Sequence, residues 1–299
     1  MSEFIELDSR YSTTRRVRKI APEVVEAELK AAHKPEDQFK TILFQPEGEG
    51  RTGEGGLRTK GYFKKSSKEK PLITVITVVF NGEKHLEETI LSVINQTYDN
   101  VEYIIIDGSS TDRTLDIIEK YEHAIDYWVS EQDNGIYDAM NKSCRLSHGN
   151  ALSFLNSGDR YIGDVLSAIK SIPCLLPCKV QEADGRVWRK LATSPKQGLP
   201  TTHQAIIFQN QKILYNTAYK ISADYDFFLR HHGDFSLTKT DEAYVLYDNS
   251  GFSTQNKLIR NIEILVIIAR YFGALRVVKF LMIKANKKLR LLQRWHTST

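Results

Sequence analysis

Two runs of β-branched and aliphatic residues constrain the fold of this 299-residue chain more than any other feature. Ile73–Val79 (ITVITVV) and residues 103–106 (YIII) lack the strict alternation of a half-exposed strand and are typical of strands buried on both faces. Between them, Leu86, Ile90 and Ile94 recur at helical spacing. A buried strand, a helix and a second buried strand predict a parallel βαβ unit.

The same alternation continues downstream. Leu115, Ile118 and Tyr121 predict a helix, and residues 125–129, 137–146 and 151–155 predict a strand, a helix and a strand. Asn81 is expected to cap the helix after the first strand. The class predicted is α/β, with Rossmann-like βαβ units around one sheet.

Polar residues collect where the predicted strands end. Asn81, Asp107, Asp133, Asn156 and Asp159 each follow or close a strand. In sheets of this kind ligands bind outside the carboxyl ends of the strands. The sequence therefore predicts a binding site at this edge.

Residues 160–255 are less regular. They contain shorter strand candidates at 187–191, 205–208 and 243–247, and a helix candidate at 225–230. We expect this half to pack on the same sheet and to face the second substrate, giving one domain over residues 71–255.

The two ends of the chain differ from this domain. Pro22–Ala32 predicts a short helix, and residues 45–70 are rich in glycine and basic residues, which favours a linker or a strap on the next domain. Residues 1–70 are therefore predicted to form an N-terminal extension.

Residues 256–299 form the third segment. From Lys257 to Arg294 it carries ten Lys or Arg residues and one Glu, with apolar residues at helical spacing. Such a basic amphipathic helix or helix pair fits an anionic membrane surface, or it packs on the domain with a charged outer face.

Composition narrows the class of protein. The chain is 41% hydrophobic and 26% charged, with a net charge of +4, and its dispersed charge disfavours nucleic-acid binding. The three cysteines, Cys144, Cys174 and Cys178, predict free thiols. No signal peptide or 18-residue apolar run is evident, so we expect a cytoplasmic protein, or one peripheral on the inner face of the membrane.

Several ordered motifs resemble one enzyme family. They are ITVVFNGEKHLEETILSVINQTYDNVEYIIIDGSSTDRT, SEQDNGIYDAMNKS, FLNSGD, THQAIIF and ISADYDFFLR, spread over residues 71–235. Together they resemble family 2 glycosyltransferases with the GT-A fold, in the branch that builds bacterial exopolysaccharides and O-antigens. The stretch GGLRTKG, at residues 55–61, is similar to a leader found in some members.

The resemblance implies a nucleotide-sugar donor site. Asp107 is the family's nucleoside contact, with a helix-capping turn as the alternative, and Gly108 stands where the family has a second acid. For His203, a structural histidine is the alternative, and for Lys142, a solvated helix face. The donor-binding residues implied are Val79, Asn81, Asp107, Asp133, Asn141, Lys142 and His203.

The resemblance also implies a divalent metal and a base. Asp159, with Asn156 beside it, matches the segment that holds Mg²⁺ or Mn²⁺, although Gly158 stands where an acid is common. Asp224 matches the second acid of the family's Glu-Asp pair, the base of an inverting transfer, and Ala223 replaces the first. The expected acceptor is a glycan or a lipid-linked saccharide.

Two other functions remain open. A sugar nucleotidyltransferase usually has a glycine-rich, basic loop after its first strand, which VVFNGEKHL lacks. A non-catalytic nucleotide-sugar binder is suggested by the acids missing at Gly108, Gly158 and Ala223. Binding without turnover would distinguish the binder from an enzyme.

Overall fold

The computed structural model describes residues 4–48, 50–249 and 256–296, with side chains as far as residue 285. The strands are β1 (Arg18–Lys19), β2 (Gly53–Gly55), β3 (Tyr62–Phe63), β4 (Ile73–Val79), β5 (Val101–Asp107), β6 (Tyr127–Ser130), β7 (Ala151–Phe154), β8 (Arg160–Ile162), β9 (Cys174–Leu175), β10 (Cys178–Gln181), β11 (Val187–Lys190), β12 (Ile206–Gln209), β13 (Ser236–Leu237) and β14 (Tyr244–Asp248). The helices are α1 (Pro22–Ala32), α2 (Leu86–Ile94), α3 (Thr114–Lys120), α4 (Ile136–Leu146), α5 (Ala223–Arg230), α6 (Lys257–Phe272) and α7 (Ala274–His296).

An eight-stranded sheet organises the protein, with strand order β13-β9-β12-β7-β4-β5-β6-β2. Its centre is parallel: β4 pairs with β5 and β7, and β5 pairs with β6. The carboxyl ends of β4, β5, β6 and β7 therefore meet at one edge, as the sequence predicts. The α/β class and the βαβ units are confirmed.

Each face of the sheet is covered by a hydrophobic core. Val75 and Val79 of β4 pack on one face with residues of α2, and Ile76 and Val78 pack on the other with residues of α4 and α5. Because both faces are buried, β4 tolerates an almost unbroken run of β-branched residues. All three cysteines are buried and free, as expected.

The irregular half joins the large sheet and builds a second one. Strands β9, β12 and β13 extend the large sheet, whereas β11, β10, β14 and β8 form a separate four-stranded sheet in that order. The prediction of packing on the same sheet is thus confirmed for three strands, and the second sheet is an addition to it.

Residues 51–61 of the N-terminal segment form a strap on the large sheet rather than a free linker. Strand β2 pairs antiparallel with β6 and forms an edge of the large sheet. Arg58 of the GGLRTKG stretch is buried and donates to Glu102 at 2.6 Å and to the carbonyls of Leu43 and Leu146. Although burial opposes its ionisation, Glu102 has a pKa lowered to about 2 because Arg58 lies beside it.

Helices α6 and α7 form the predicted C-terminal pair. Ile267 and Ile268 of α6 and Phe280 of α7 are buried with Tyr225 of α5, so the pair is packed on the less regular half of the domain. Within the described part of the chain, no helix is both long and apolar enough to span a membrane.

One local prediction is wrong. Helix α2 begins at Leu86, and the preceding N-cap residue, His85, makes no side-chain capping bond. Asn81 instead adopts a positive φ of 52°, and its side-chain oxygen accepts from the backbone N–H of Thr111 at 2.9 Å. Asparagine tolerates this left-handed conformation, so Asn81 turns the chain and ties two loops together.

Candidate active site

Asp107 closes β5 at the carboxyl edge, and its carboxylate is buried. It accepts from the Ser110 backbone N–H at 3.0 Å, from the Ser110 hydroxyl, and from the Ser130 hydroxyl at 2.6 Å. The Ser130 hydroxyl lies 2.7 Å from that of Thr52, which precedes β2 in the strap. Asp107 thus makes a turn contact with Ser110, which lies before α3 and does not cap that helix, and the Ser130 hydroxyl links Asp107 to the strap.

Asp133 fills the space left by the acid missing at position 108. A Cβ added to Gly108 would lie 2.6 Å from Oδ2 of Asp133, so a larger residue could not stand there with Asp133 in place. Burial raises the pKa of Asp133, while the Gly135 N–H, donating at 2.7 Å, opposes that rise. The edge thus has carboxylates at both Asp107 and Asp133.

The loop after β4 presents an aromatic ring to this edge. Val79 is buried, and its carbonyl accepts from the Gly108 N–H at 2.9 Å, so this loop lies against the end of β5. The next residue, Phe80, is 65% exposed, and its ring lies 3.6 Å from the position of a Cβ on Gly108. The sequence reasoning missed Phe80, although an aromatic residue directly after a buried strand was a usable signal.

Two residues predicted to bind the nucleotide-sugar donor, Asn141 and His203, lie in the core. The Asn141 side chain accepts from the Tyr215 N–H at 2.7 Å and donates to the Tyr215 carbonyl at 3.1 Å. The His203 ring stacks on Phe154 with centroids 4.7 Å apart, and its Nε2 lies 2.6 Å from the Tyr215 hydroxyl. Burial lowers the pKa of His203 to about 3, so it is neutral. These contacts are those of the structural alternative for His203.

Lys142 lies beside Glu131, the residue that directly follows β6. Its ammonium group is 2.8 Å from one oxygen of Glu131, and Arg51 of the strap is 2.6 Å from the other. Lys142 also donates to the carbonyl of Gln132 at 2.7 Å. It is therefore partnered rather than on a simple solvated face.

The predicted metal segment brings two carboxylates together. Asp159 is buried, and one of its oxygens accepts from the backbone N–H of Asp248 at 2.9 Å. A Cβ added to Gly158 would lie 3.4 Å from Oδ2 of Asp248, so Asp248 stands beside the position where the family has an acid. Burial first, then the nearby Asp248 charge, raise the pKa of Asp159 well above its usual value.

Asn156, whose backbone carbonyl accepts from the Asp159 N–H at 3.0 Å, adds an unused side-chain oxygen to this segment. Its Oδ1 is buried without a hydrogen-bond partner. Among the described residues, no group of three or more His, Cys, Asp or Glu side chains is placed to hold a metal. The available donors are thus two carboxylates and one amide oxygen. Sequence reasoning missed Asp248, although it too ends a strand, β14.

Asp224 and Asp226 lie in opposite environments on α5. The Asp224 side chain is partly exposed, and one of its oxygens accepts from the Tyr225 N–H at 2.8 Å. Asp226 is 1% exposed and is held by Arg230 at 2.8 Å and by the Tyr271 hydroxyl at 2.9 Å. Of the two carboxylates, Asp224 is the one that a substrate can reach.

The surroundings of Asp224 favour a proton acceptor. Burial raises its pKa to about 6, and the positive charge of Lys190 opposes that rise. The turn before α5 is attached to the start of α4, because the Tyr137 hydroxyl donates to the Ile221 carbonyl at 2.5 Å. Since α4 follows the end of β6, Asp224 is tied to the carboxyl edge. Lys190 could not be identified from the sequence, because its place depends on the β10–β11 register.

The sheet order, with polar residues at the carboxyl ends of its parallel strands, is that of a GT-A fold. Staphylococcus aureus TarS (residues 1–349), solved in complex with UDP-GlcNAc, shows the same fold. Its TM-score is 0.53 at 20% identity, and the match covers 70% of this chain and 71% of that one.

Sequence comparison gives the family. The sequence model described as Glycosyl transferase family 2 matches residues 74–169. An uncharacterized glycosyltransferase of Mycobacterium tuberculosis is 33% identical over 183 residues, 54% of this chain and 68% of the relative. The putative teichuronic acid biosynthesis glycosyltransferase TuaG of Bacillus subtilis is 37% identical over 100 residues, 32% of this chain and 40% of TuaG. The chain belongs to glycosyltransferase family 2 and is a glycosyltransferase.

Proposed function

We propose that this enzyme transfers a sugar from a nucleotide-sugar donor to a hydroxyl of a glycan or lipid-linked acceptor, with inversion, in bacterial surface polysaccharide synthesis. The likeness to TuaG, named for teichuronic acid biosynthesis, supports the polymer class. The observation that carries the proposal is the partly exposed Asp224 carboxylate, whose pKa of about 6 suits a general base near neutral pH.

In this proposal the donor nucleoside binds at the ends of β4 and β5. Asp107 and Asp133 accept hydrogen bonds from the base or the ribose, as carboxylates can. The exposed Phe80 ring offers a face on which a base can stack. TarS, which has the same fold, was solved with UDP-GlcNAc, a donor of this kind.

Asp159, Asp248 and Asn156 would hold the divalent ion. Divalent metals are common in this family, and the donor set fits Mg²⁺ or Mn²⁺, which prefer oxygen ligands. Two observations support the fit: the buried Asn156 oxygen has no partner, and Asp248 stands beside the acid-less Gly158. When bound, the ion supplies charge neutralisation to the leaving diphosphate.

The proposed reaction is a single displacement. The acceptor oxygen forms a bond to the anomeric carbon while the bond from that carbon to the diphosphate breaks. Asp224 takes the proton of the acceptor hydroxyl, and the nucleoside diphosphate leaves with the bonding electron pair. Attack from the side opposite the leaving group inverts the anomeric centre.

The test compares two isosteric variants of α5. Asp224→Asn should lower turnover roughly 10²- to 10⁴-fold, because the amide cannot accept the proton. Donor affinity should change little, since the base contacts the acceptor. Asp226→Asn serves as the matched control and should lose stability rather than turnover. The measurements are steady-state transfer and donor binding; a folded, inactive Asp226→Asn beside an active Asp224→Asn would refute the assignment.

We also propose that α6 and α7 attach the enzyme to an anionic membrane surface. The outer face exposes apolar side chains, including Leu258, Ile262, Val266, Leu275 and Met282. Exposed Arg270 and Lys279 lie on the same two helices. An apolar face beside cationic residues is complementary to an anionic bilayer, and a lipid-linked acceptor would be found there.

A further inference from the structure

Glu263 of α6 binds the turn that leads into the proposed base. Its carboxylate accepts from three consecutive backbone N–H groups: Lys220 at 2.6 Å, Ile221 at 3.0 Å and Ser222 at 2.8 Å. The turn ends at Ser222, two residues before Asp224. One side chain of the C-terminal helix pair therefore fixes the backbone immediately ahead of the base.

A second contact joins the same turn to α6. The Ser222 hydroxyl donates to the carbonyl of Arg260 at 3.3 Å. The Tyr137 hydroxyl of α4 donates to the carbonyl of Ile221 in the same turn. The turn thus makes hydrogen bonds both to α4, which follows the carboxyl end of β6, and to α6 of the C-terminal pair.

The hydrogen bonds to the Glu263 carboxylate are expected to be stronger than ordinary neutral ones. Hydrogen bonds to an ionised acceptor are roughly twice as strong as neutral ones. Of the three N–H groups, that of Ser222 belongs to the N-cap residue of α5, and negative charge near a helix N-terminus is favourable. Because the turn leads directly into α5, a shift of the turn changes the direction of the Asp224 carboxylate.

We propose that Glu263 is a positioning residue for sugar transfer, holding the Asp224 turn in the geometry that the acceptor hydroxyl requires. The inference rests on the proposed function, because it takes Asp224 to be the base. The C-terminal pair then supports catalysis through the Asp224 turn, in addition to its proposed membrane contact.

Glu263 also acts on Asp224 through its charge. The groups that influence Asp224 are Lys190 of β11, Glu263 of α6, and the phenols of Tyr137 and Tyr215, whose own pKa values are raised by burial and by Asp224. After burial, the negative charge of Glu263 is a further cause that raises the pKa of Asp224. Removing that charge should therefore lower it.

The experiment compares Glu263→Gln with Tyr271→Phe. Glutamine keeps the size of the side chain but loses its charge and one acceptor oxygen. Tyr271→Phe removes another contact between α6 and α5, the one to Asp226, and leaves the turn untouched. Both variants should melt at a lower temperature than the wild type, so Tyr271→Phe controls for loss of helix docking.

Only Glu263→Gln should change catalysis. We expect kcat to fall roughly 10- to 100-fold, as for a misplaced catalytic group, with the donor KM unchanged. The acidic limb of the kcat profile should move to lower pH. Wild-type kcat and an unmoved acidic limb in Glu263→Gln would overturn the inference and leave an ordinary docking contact.

Two further variants allow the result to be interpreted if Glu263→Gln does not fold or if Asp224 is not the base. If Glu263→Gln does not fold, Ser222→Ala removes the second contact and should lower kcat by a smaller factor; wild-type kcat there would overturn the inference. Asp224→Asn in the same assay distinguishes failure of the proposed base from failure of the positioning role of Glu263. An active Asp224→Asn refutes the proposed base, whereas an inactive Asp224→Asn beside a normal Glu263→Gln refutes the positioning role alone.

Discussion

Among single residues, Asp224 and Asp226 differ most clearly in their partners. The sequence separation of two places them on different faces of α5. Asp226 is occupied by Arg230 and Tyr271, so it joins α5 to α6. Asp224 has one backbone N–H partner and remains partly exposed. Asp226 is therefore occupied in docking α5 on α6, whereas Asp224 remains available for the proposed role of base.

The pKa of Asp224 predicts how transfer depends on pH. A base works in its deprotonated form, so kcat should fall about tenfold per pH unit below about pH 6 and level off above it. Lys190→Met removes a charge that lowers this pKa, so its acidic limb should move to higher pH. The measurement is kcat against pH for both proteins. A wild-type limb near the ordinary value of 3.8 would show that burial does not tune Asp224.

At the scale of elements, two segments outside the central βαβ units support the site. Strand β2 lies on β6, and the hydroxyls of Thr52 and Ser130 lead from the strap to Asp107. The buried Arg58–Glu102 pair anchors the same strap, and breaking such a pair usually costs about 3–5 kcal/mol. At the other end of the chain, α6 carries Glu263. One segment from each side of the central domain in sequence thus contacts residues next to the proposed site.

The helix pair gives a prediction about membranes. Vesicles containing anionic phosphatidylglycerol should sediment the wild type, and binding should weaken as salt rises, because screening reduces the attraction. Deleting residues 284–299 should weaken binding, and so should replacing exposed Leu258 and Leu275 by Ser. Leu237→Ser, an exposed apolar position on β13, is the control. Equal sedimentation of wild type and both helix variants would contradict membrane attachment.

At the scale of the whole molecule, the sequence predicts the central fold but not the contacts that complete the site. Ile73–Val79 and Pro22–Ala32 were predicted with their observed bounds, because hydrophobic periodicity and helix-start residues are local signals. Strand β2 (GEG) has no side-chain pattern, so its place at the sheet edge could not be predicted.

The missed site residues share one cause. Asp248 meets Asp159 across 89 residues of sequence, and Glu263 meets the turn at 220–222 across 41 to 43 residues. Only folding brings these groups together. The resemblance directed attention to Gly108 and Gly158 as positions without an acid. The structure places Asp133 and Asp248 beside those two glycines, which sequence spacing could not indicate.

Thermal unfolding with a panel of nucleotide sugars, with Mn²⁺ or with a chelator, tests whether the protein binds a nucleotide-sugar donor together with a divalent ion. Ligand at 100 times its Kd stabilises a protein by about 2.7 kcal/mol, so a donor should raise the Tm clearly. We predict that at least one nucleotide sugar does so with Mn²⁺, and that the shift is much smaller with chelator. Asp159→Asn and Asp248→Asn should lose the metal-dependent part, while Asp116→Asn, at an exposed position on α3, keeps it. A Tm shift equally large in chelator would contradict the proposed metal site. The absence of a Tm shift with every nucleotide sugar would contradict binding of a nucleotide-sugar donor.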